Sequence, residues 1–135
     1  MKKLINTLQK IDNILVLINK IIHEEHINLL DSKTNIKKLF SIIEKKHYLL
    51  NKLNKERKIQ ISLEKIYNVF PPYLEYNELN NYSNKIVNKC IFLNKINLEN
   101  KKLIKNKFYL NQNFLNLYKS FKNKNNTIYD VHGNL

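Results

Sequence analysis

Glycine occurs once in this chain, at Gly133, and the two prolines are adjacent, at Pro71 and Pro72. Tight turns between β-strands depend on glycine and proline, because these residues supply a positive or a fixed φ angle. A sheet or barrel of many strands is therefore not expected. The same scarcity excludes glycine-rich phosphate-binding loops and the G-x-S-x-G nucleophile elbow. The composition predicts long helices and excludes the enzyme classes built on these motifs.

The first helix is predicted from a regular apolar pattern. Apolar residues recur at steps of three and four along the first 30 residues, which is a heptad stripe on one helix face. The stripe consists of Leu4, Leu8, Ile11, Leu15, Ile18, Ile22 and Leu29. Ile5, Ile14, Leu17 and Ile21 widen it, so this helix is expected to contact two neighbours.

Two further helices follow. The second is predicted to begin after Asn35, a candidate N-cap, and to fade at 55–58, with a polar face of mostly Lys and Glu. Residues 59–69 fit either a short helix or an extended segment. Pro71 and Pro72 must end any helix there, because proline lacks the backbone N–H and restricts the residue before it. The third helix is predicted over 77–121, with Lys89, Asn100 and Lys107 interrupting its apolar stripe as register-fixing positions.

The organisation expected from these helices is a single module. A length of 135 residues suffices for one domain with a sizeable core. We predict an elongated antiparallel three-helix bundle or coiled coil over 1–121, with long first and third helices. The Lys- and Asn-rich run at 122–126 cannot bury apolar surface, so 122–135 is predicted to be a flexible, disordered tail.

The basic charge of the chain is the next constraint. Lys and Arg number 24 against 11 Asp and Glu, giving a formal net charge of +13. Such an excess is typical of proteins that bind nucleic acid or acidic membranes. However, Arg57 is the one arginine, and the lysines are scattered evenly, whereas phosphate and base recognition favours arginine. We therefore interpret most of this charge as solvated surface and expect neither a nucleic-acid partner nor stable membrane insertion.

Candidate metal and catalytic groups are few. His23 and His26 lie three apart, whereas the H-E-x-x-H zinc motif needs a spacing of four. Glu44 and His47 form one Glu-x-x-His, but a di-iron bundle needs two. Cys90, the one cysteine, excludes an internal disulfide and is expected to be a small buried filler. We predict no catalytic residue, no metal and no cofactor. The histidines are expected to be structural or solvated, and the protein is expected to be cytoplasmic.

Aromatic residues are concentrated near the end of the third helix. They are Phe108, Tyr109, Phe114, Tyr118 and Phe121, and they lie on at least two faces of the helix. This pattern fits a wide core against the first two helices, and it equally fits an exposed groove for an apolar partner segment. Tyr129 stands in the polar tail, where it is either incidental or the anchor of a short docking motif.

Four patterns along the chain resemble the FlgN family of flagellar type III export chaperones. Segment 93–104 (LNKINLENKKLI) is similar to the family signature of a Leu, two Asn three apart and a Leu-Leu type pair. The stretch after it, Asn111-Gln112-Asn113 with Leu115 and Leu117, resembles the family's Asn-Gln-Gln stretch. Glu44-Lys45-Lys46 with Leu49, Leu50 and Leu53 resembles its second-helix pattern, and Thr127-Ile128-Tyr129 with Gly133 its tail motif.

The resemblance implies a non-enzymatic chaperone. Its last helix would bind the C-terminal segments of hook-associated (hook-filament junction) proteins, prevent their premature assembly and deliver them to the type III export gate. The cargo groove is then expected to consist of Leu103, Ile104, Phe108, Leu110, Phe114, Leu115, Leu117 and Tyr118. Tyr129 would contact the cytoplasmic domain of the gate. The alternatives are a basic helical nucleic-acid-binding protein and a coiled-coil adaptor.

Overall fold

The computed structural model describes residues 1–31, 33, 35–110 and 119–120, with the backbone alone for 107–110. Three helices follow one another: α1 (Lys2–Leu30), α2 (Ile36–Tyr67) and α3 (Asn77–Leu110). None of the described residues is in a β-strand. The predicted all-α class is confirmed. The predicted continuation of the third helix through 111–118, its end at 121 and the predicted tail lie outside the described residues.

Helix α2 is longer than the sequence pattern indicated. It begins after Asn35, whose side-chain oxygen accepts a hydrogen bond from the Lys38 backbone N–H at 3.2 Å, so the predicted N-cap is confirmed. It continues without a break to Tyr67, so the extended alternative for 59–69 is wrong. The physical reason is that Leu63 and Tyr67, one helical turn apart, pack against the core, whereas the alternating Ile59 and Ile61 are exposed.

Helix α1 lies between the other two helices. It packs against α2 on one side and against α3 on the other, and no Cα of α2 lies within 8 Å of one of α3 in the described residues. The prediction that α1 contacts two neighbours is confirmed. The main core contains most of the α1 stripe, from Leu4 to Ile22, together with Leu50, Leu53 and Leu93. A smaller core cluster, formed by Leu29, Leu39, Ile43 and Ile104, closes the end where α1 stops.

The connection between α2 and α3 holds the adjacent prolines. Helix α2 is followed by its C-cap, Asn68, whose φ of 53° is left-handed and whose backbone N–H donates to the Glu64 carbonyl. The Pro71-Pro72 peptide bond is cis. Tyr73 is 3% exposed, and its hydroxyl donates a hydrogen bond to the Glu64 carboxylate and accepts one from Gln60 Nε2 at 3.0 Å. The predicted helix break at the prolines is confirmed.

Candidate partner-binding site

A buried ion pair links α1 to α2. The Lys46 ammonium group donates to both carboxylate oxygens of Glu25 at 2.9 Å and to Asn97 Oδ1 of α3 at 3.1 Å. Lys46 is 1% exposed and Glu25 is fully buried. The sequence interpretation of α2's Lys and Glu residues as a solvated face is therefore wrong for Lys46. Its position between Ile43 and Leu50 turns it inward, where two helices supply oxygen acceptors.

Asn100 extends this network along α3. Its amide nitrogen donates to the Ile22 backbone carbonyl at 3.1 Å and to a Glu25 carboxylate oxygen at 2.9 Å. Its amide oxygen is hydrogen-bonded to His26 Nδ1 at 2.7 Å. Because each of these groups is buried or half-buried, sliding one helix past another would leave several of them unpaired. The structure thus places Asn100 in the register-fixing role that its interruption of the stripe predicts, and gives His26 a structural role.

Lys89, a second interruption, also contacts α1. Its ammonium group is bonded to the Asp12 carboxylate, and this ion pair is partly exposed. The pairing of Lys89 with Asp12 at one level, and of Asn100 with Glu25 further along, shows that α1 and α3 run parallel in fixed register. The side chain of Lys107, the third interruption, lies outside the described residues.

This register carries the end of α3 past the end of α1. With Asn100 level with Glu25, the last residue of α1, Leu30, is level with about residue 105 of α3. The described helix continues to Leu110, ~7 Å further at the ordinary rise of 1.5 Å per residue. The last turn of α3 therefore extends beyond the helix that covers the rest of its inner face.

The predicted cargo groove begins at this end. Leu103 is half-buried, and Ile104, 1% exposed, belongs to the smaller core cluster. Phe108 and Leu110 are on the last turns of α3, and their side chains lie outside the described residues. Both backbone and side chain lie outside the described residues for Phe114, Leu115, Leu117, Tyr118 and Tyr129. Ile104 is therefore a core residue in this structure, and the assignment of the groove residues stays a prediction.

An open apolar groove between α1 and α3 was missed by the sequence pattern. It has a volume of about 270 Å³, and its lining includes Leu15, Val16 and Phe92. Phe92 is 51% exposed and makes an edge contact with the His23 ring at 6.1 Å. The signal that could have found it is an aromatic residue directly before the core position Leu93, since adjacent helical residues cannot both face one partner.

Burial sets the ionisation of the groups singled out by sequence. Desolvation, with a smaller contribution from the charge of Lys46, lowers the pKa of His47 to about 4. Cys90 is half-buried and not fully buried as expected. Desolvation raises the pKa of its thiol, against a smaller lowering by Arg57, which disfavours a nucleophile. No group of three or more His, Cys, Asp or Glu that could hold a metal ion occurs in the part of the chain described above. Likewise, no described helix is long and apolar enough to cross a membrane.

The helices, the buried polar network and the apolar groove together define the class of this protein. The protein is a three-helix bundle whose buried polar groups align its helices and which carries an open apolar groove between α1 and α3. The chain belongs to the FlgN family, whose family model, described as FlgN protein, matches residues 1–135.

Two curated relatives agree with this assignment. Both are named putative flagella synthesis protein FlgN. One, from Buchnera aphidicola subsp. Schizaphis graminum (strain Sg), is 47% identical over 136 aligned residues, covering 100% of this chain and 99% of the relative. The other, from Buchnera aphidicola subsp. Acyrthosiphon pisum (strain APS), is 45% identical over 135, covering 100% and 98%. No solved structure matches the chain significantly.

Proposed function

We propose that this protein is a cytoplasmic flagellar export chaperone. It binds the C-terminal segments of hook-filament junction proteins, prevents their premature assembly and delivers them to the type III export gate. Membership of the FlgN family and the names of the two relatives support a role in flagellum synthesis. The observation that carries the binding site is the extension of α3 past the end of α1.

This geometry supports the binding step. An amphipathic partner segment aggregates or assembles early if its apolar face stays in water, and an apolar helix end can cover that face reversibly. The buried network fixes how far α3 projects, so the segment meets a preorganised surface rather than a sliding helix. No covalent step is required, because exclusion of water from the apolar face is sufficient for protection.

Delivery would use a separate contact. Tyr129 lies well beyond the groove residues in sequence, so cargo and the cytoplasmic domain of the gate can be bound together. An aromatic anchor on a short segment gives an affinity that permits release, because ordering the segment offsets part of the contact free energy.

Calorimetry tests this function directly. The full-length chain is titrated with the C-terminal segment of a junction protein, and separately with duplex DNA, at low and high salt. Burial of apolar surface predicts segment binding that persists at high salt, with a negative heat-capacity change. DNA affinity that falls steeply with added salt, without any binding of the junction segment, would instead support the nucleic-acid-binding alternative. Binding to neither would favour a coiled-coil adaptor.

A further inference from the structure

The end of the rod opposite the predicted cargo groove exposes four large apolar side chains. We call Ile66, Phe70, Leu74 and Tyr76 the apolar tip. Their exposed fractions are 73%, 58%, 78% and 40%, respectively. Phe70, Leu74 and Tyr76 line one shallow pocket on the connection between α2 and α3. Ile66 precedes them on the last turn of α2. Single exposed apolar residues are ordinary on a protein surface, but a contiguous group marks a binding surface.

The backbone beneath the apolar tip is held firmly. Tyr73, between Phe70 and Leu74, is buried and bonded to Glu64 and Gln60. The Asn80 amide donates to the Pro72 carbonyl at 2.7 Å. The Phe70 carbonyl accepts from the Tyr73 N–H, and the Tyr73 carbonyl from the Tyr76 N–H, both at 3.0 Å. The apolar side chains are therefore presented on a fixed scaffold while their rings and methyl groups face water.

Basic residues stand beside the apolar tip. The contact between Asp12 and Lys89, followed back along the parallel helices, brings Met1 level with about residue 78 at the start of α3, which is this end of the bundle. Lys2 and Lys3 are exposed there, and Lys65 is exposed on the last turn of α2.

The exposed carboxylates of the connection and of the α3 start are Glu75 and Glu78. The local cations outnumber these carboxylates, and the whole chain carries +13.

This combination identifies the partner by its chemistry. Aliphatic and aromatic side chains with lysines behind them are the composition of segments that enter the boundary between lipid headgroups and acyl chains. A strongly positive protein is attracted to an anionic lipid surface over a distance of about a Debye length. Reversible membrane association generally requires two such signals, one apolar and one electrostatic. The apolar tip and the nearby lysines supply both.

We propose that the apolar tip docks this protein reversibly, end-on, against an anionic phospholipid surface. The inference does not depend on the proposed function. The apolar tip and Leu110 are at opposite ends of α3, which is ~50 Å long for its 34 residues. A molecule bound at the groove end would not obstruct the membrane contact.

Vesicle co-sedimentation of the full chain tests the proposal. Vesicles of phosphatidylcholine mixed with phosphatidylglycerol should bind the protein, pure phosphatidylcholine vesicles should bind it less, and added salt should weaken the binding. Phe70→Ser and Leu74→Ser should each lower the vesicle partition coefficient by about tenfold, through the loss of inserted apolar area. Replacing both Lys2 and Lys3 with Gln should lower binding to the anionic vesicles only.

Two matched variants serve as controls. Ile27→Ser and Ile91→Ser change side chains that are 70% and 65% exposed, away from the apolar tip. Both should bind vesicles like the wild type, and circular dichroism should be unchanged for all variants. Junction-segment binding should also be unchanged in the tip variants, which separates this proposal from the proposed function.

Three results would overturn the proposal. The first is the absence of binding to anionic vesicles. The second is full binding by Phe70→Ser and Leu74→Ser, which would leave the basic charge alone as the cause. The third is a loss of binding in the Ile91→Ser control equal to that of the tip variants. If the second result came with loss of self-association or of a protein complex in the tip variants, the tip would be assigned to a protein partner instead.

Discussion

The ammonium group of Lys46 lies 2.9 Å from each carboxylate oxygen of Glu25, and neither side chain is accessible to solvent. Removing two charges from water is costly, and their attraction compensates only when the remaining hydrogen-bonding capacity is also satisfied. Asn97 accepts from the lysine and Asn100 donates to the glutamate, which completes the arrangement with groups from α3. One ion pair thereby fixes the alignment of all three helices.

Removing one partner of this pair should destabilise the fold strongly. Lys46→Met leaves the Glu25 carboxylate buried without its cation, so the free energy of unfolding should fall by about 3–5 kcal/mol. Urea unfolding measures the change. The neighbouring Lys45→Met is the matched control, because Lys45 is exposed, and it should alter stability by less than about 0.5 kcal/mol. Equal stability of the two variants would contradict the structural importance of the pair.

The buried histidine of α2 should make stability depend on pH. Above pH 6.5, His47 is neutral in both the folded and the unfolded chain. As the pH falls from 6.5 towards 4, the unfolded chain binds a proton that the folded chain resists, because the folded pKa is lowered to about 4. This group should therefore remove up to about 3 kcal/mol of stability across that window, with no further loss below it.

Comparison of variants isolates that contribution. Urea midpoints from pH 7.5 to pH 4 should fall less steeply for His47→Leu than for the wild type. His23→Gln, which changes a half-buried histidine of α1, should keep the steep profile. A profile for His47→Leu that parallels the wild type would assign the acid sensitivity to other groups.

The cargo groove should depend on the apolar residues beyond the described end of α3. Changing Phe114 and Leu117 together to Ser should weaken binding of a junction-protein C-terminal segment by at least about tenfold, because two apolar contacts are lost. Calorimetry measures the affinity, and circular dichroism must show unchanged helix content. Ile91→Ser, on the exposed face of α3, is the control. Normal binding by the folded double variant would place the groove elsewhere.

Tyr129 should act at the gate and not at the cargo groove. Truncation of an anchoring aromatic side chain costs on the order of 2 kcal/mol or more, which is about thirtyfold in affinity. Tyr129→Ala should therefore bind cargo normally, while the loaded complex loses at least that factor against the cytoplasmic domain of the gate. Tyr129→Phe should retain most of the affinity. Equal gate affinities for wild type and Tyr129→Ala would remove this residue from the mechanism.

The starts of the three helices and the apolar core face of α1 could be derived from the sequence alone. The steps of three and four from Leu4 to Leu29 determine the buried face of α1, because the helical period is a local property of the chain. Asn35 as N-cap and the break at Pro71 are equally local, since each follows from that residue's own donors, acceptors or ring. The continuation of α2 to Tyr67 was not derivable in this way, because the alternating apolar residues at 59–63 satisfy two periods at once.

Tertiary structure alone decided which polar residues meet. Lys46 and Glu25 are 21 residues apart in sequence, and Glu25 and Asn100 are 75 apart. Periodicity places each residue on a face of its own helix, but the partner across the interface depends on the register between helices, and no local pattern encodes it. The same register decides that α3 extends past α1 and that the start of α1 lies beside the apolar tip. The sequence by itself therefore determined the helices and their apolar faces, whereas the fixed alignment of those helices determined the surfaces available for binding.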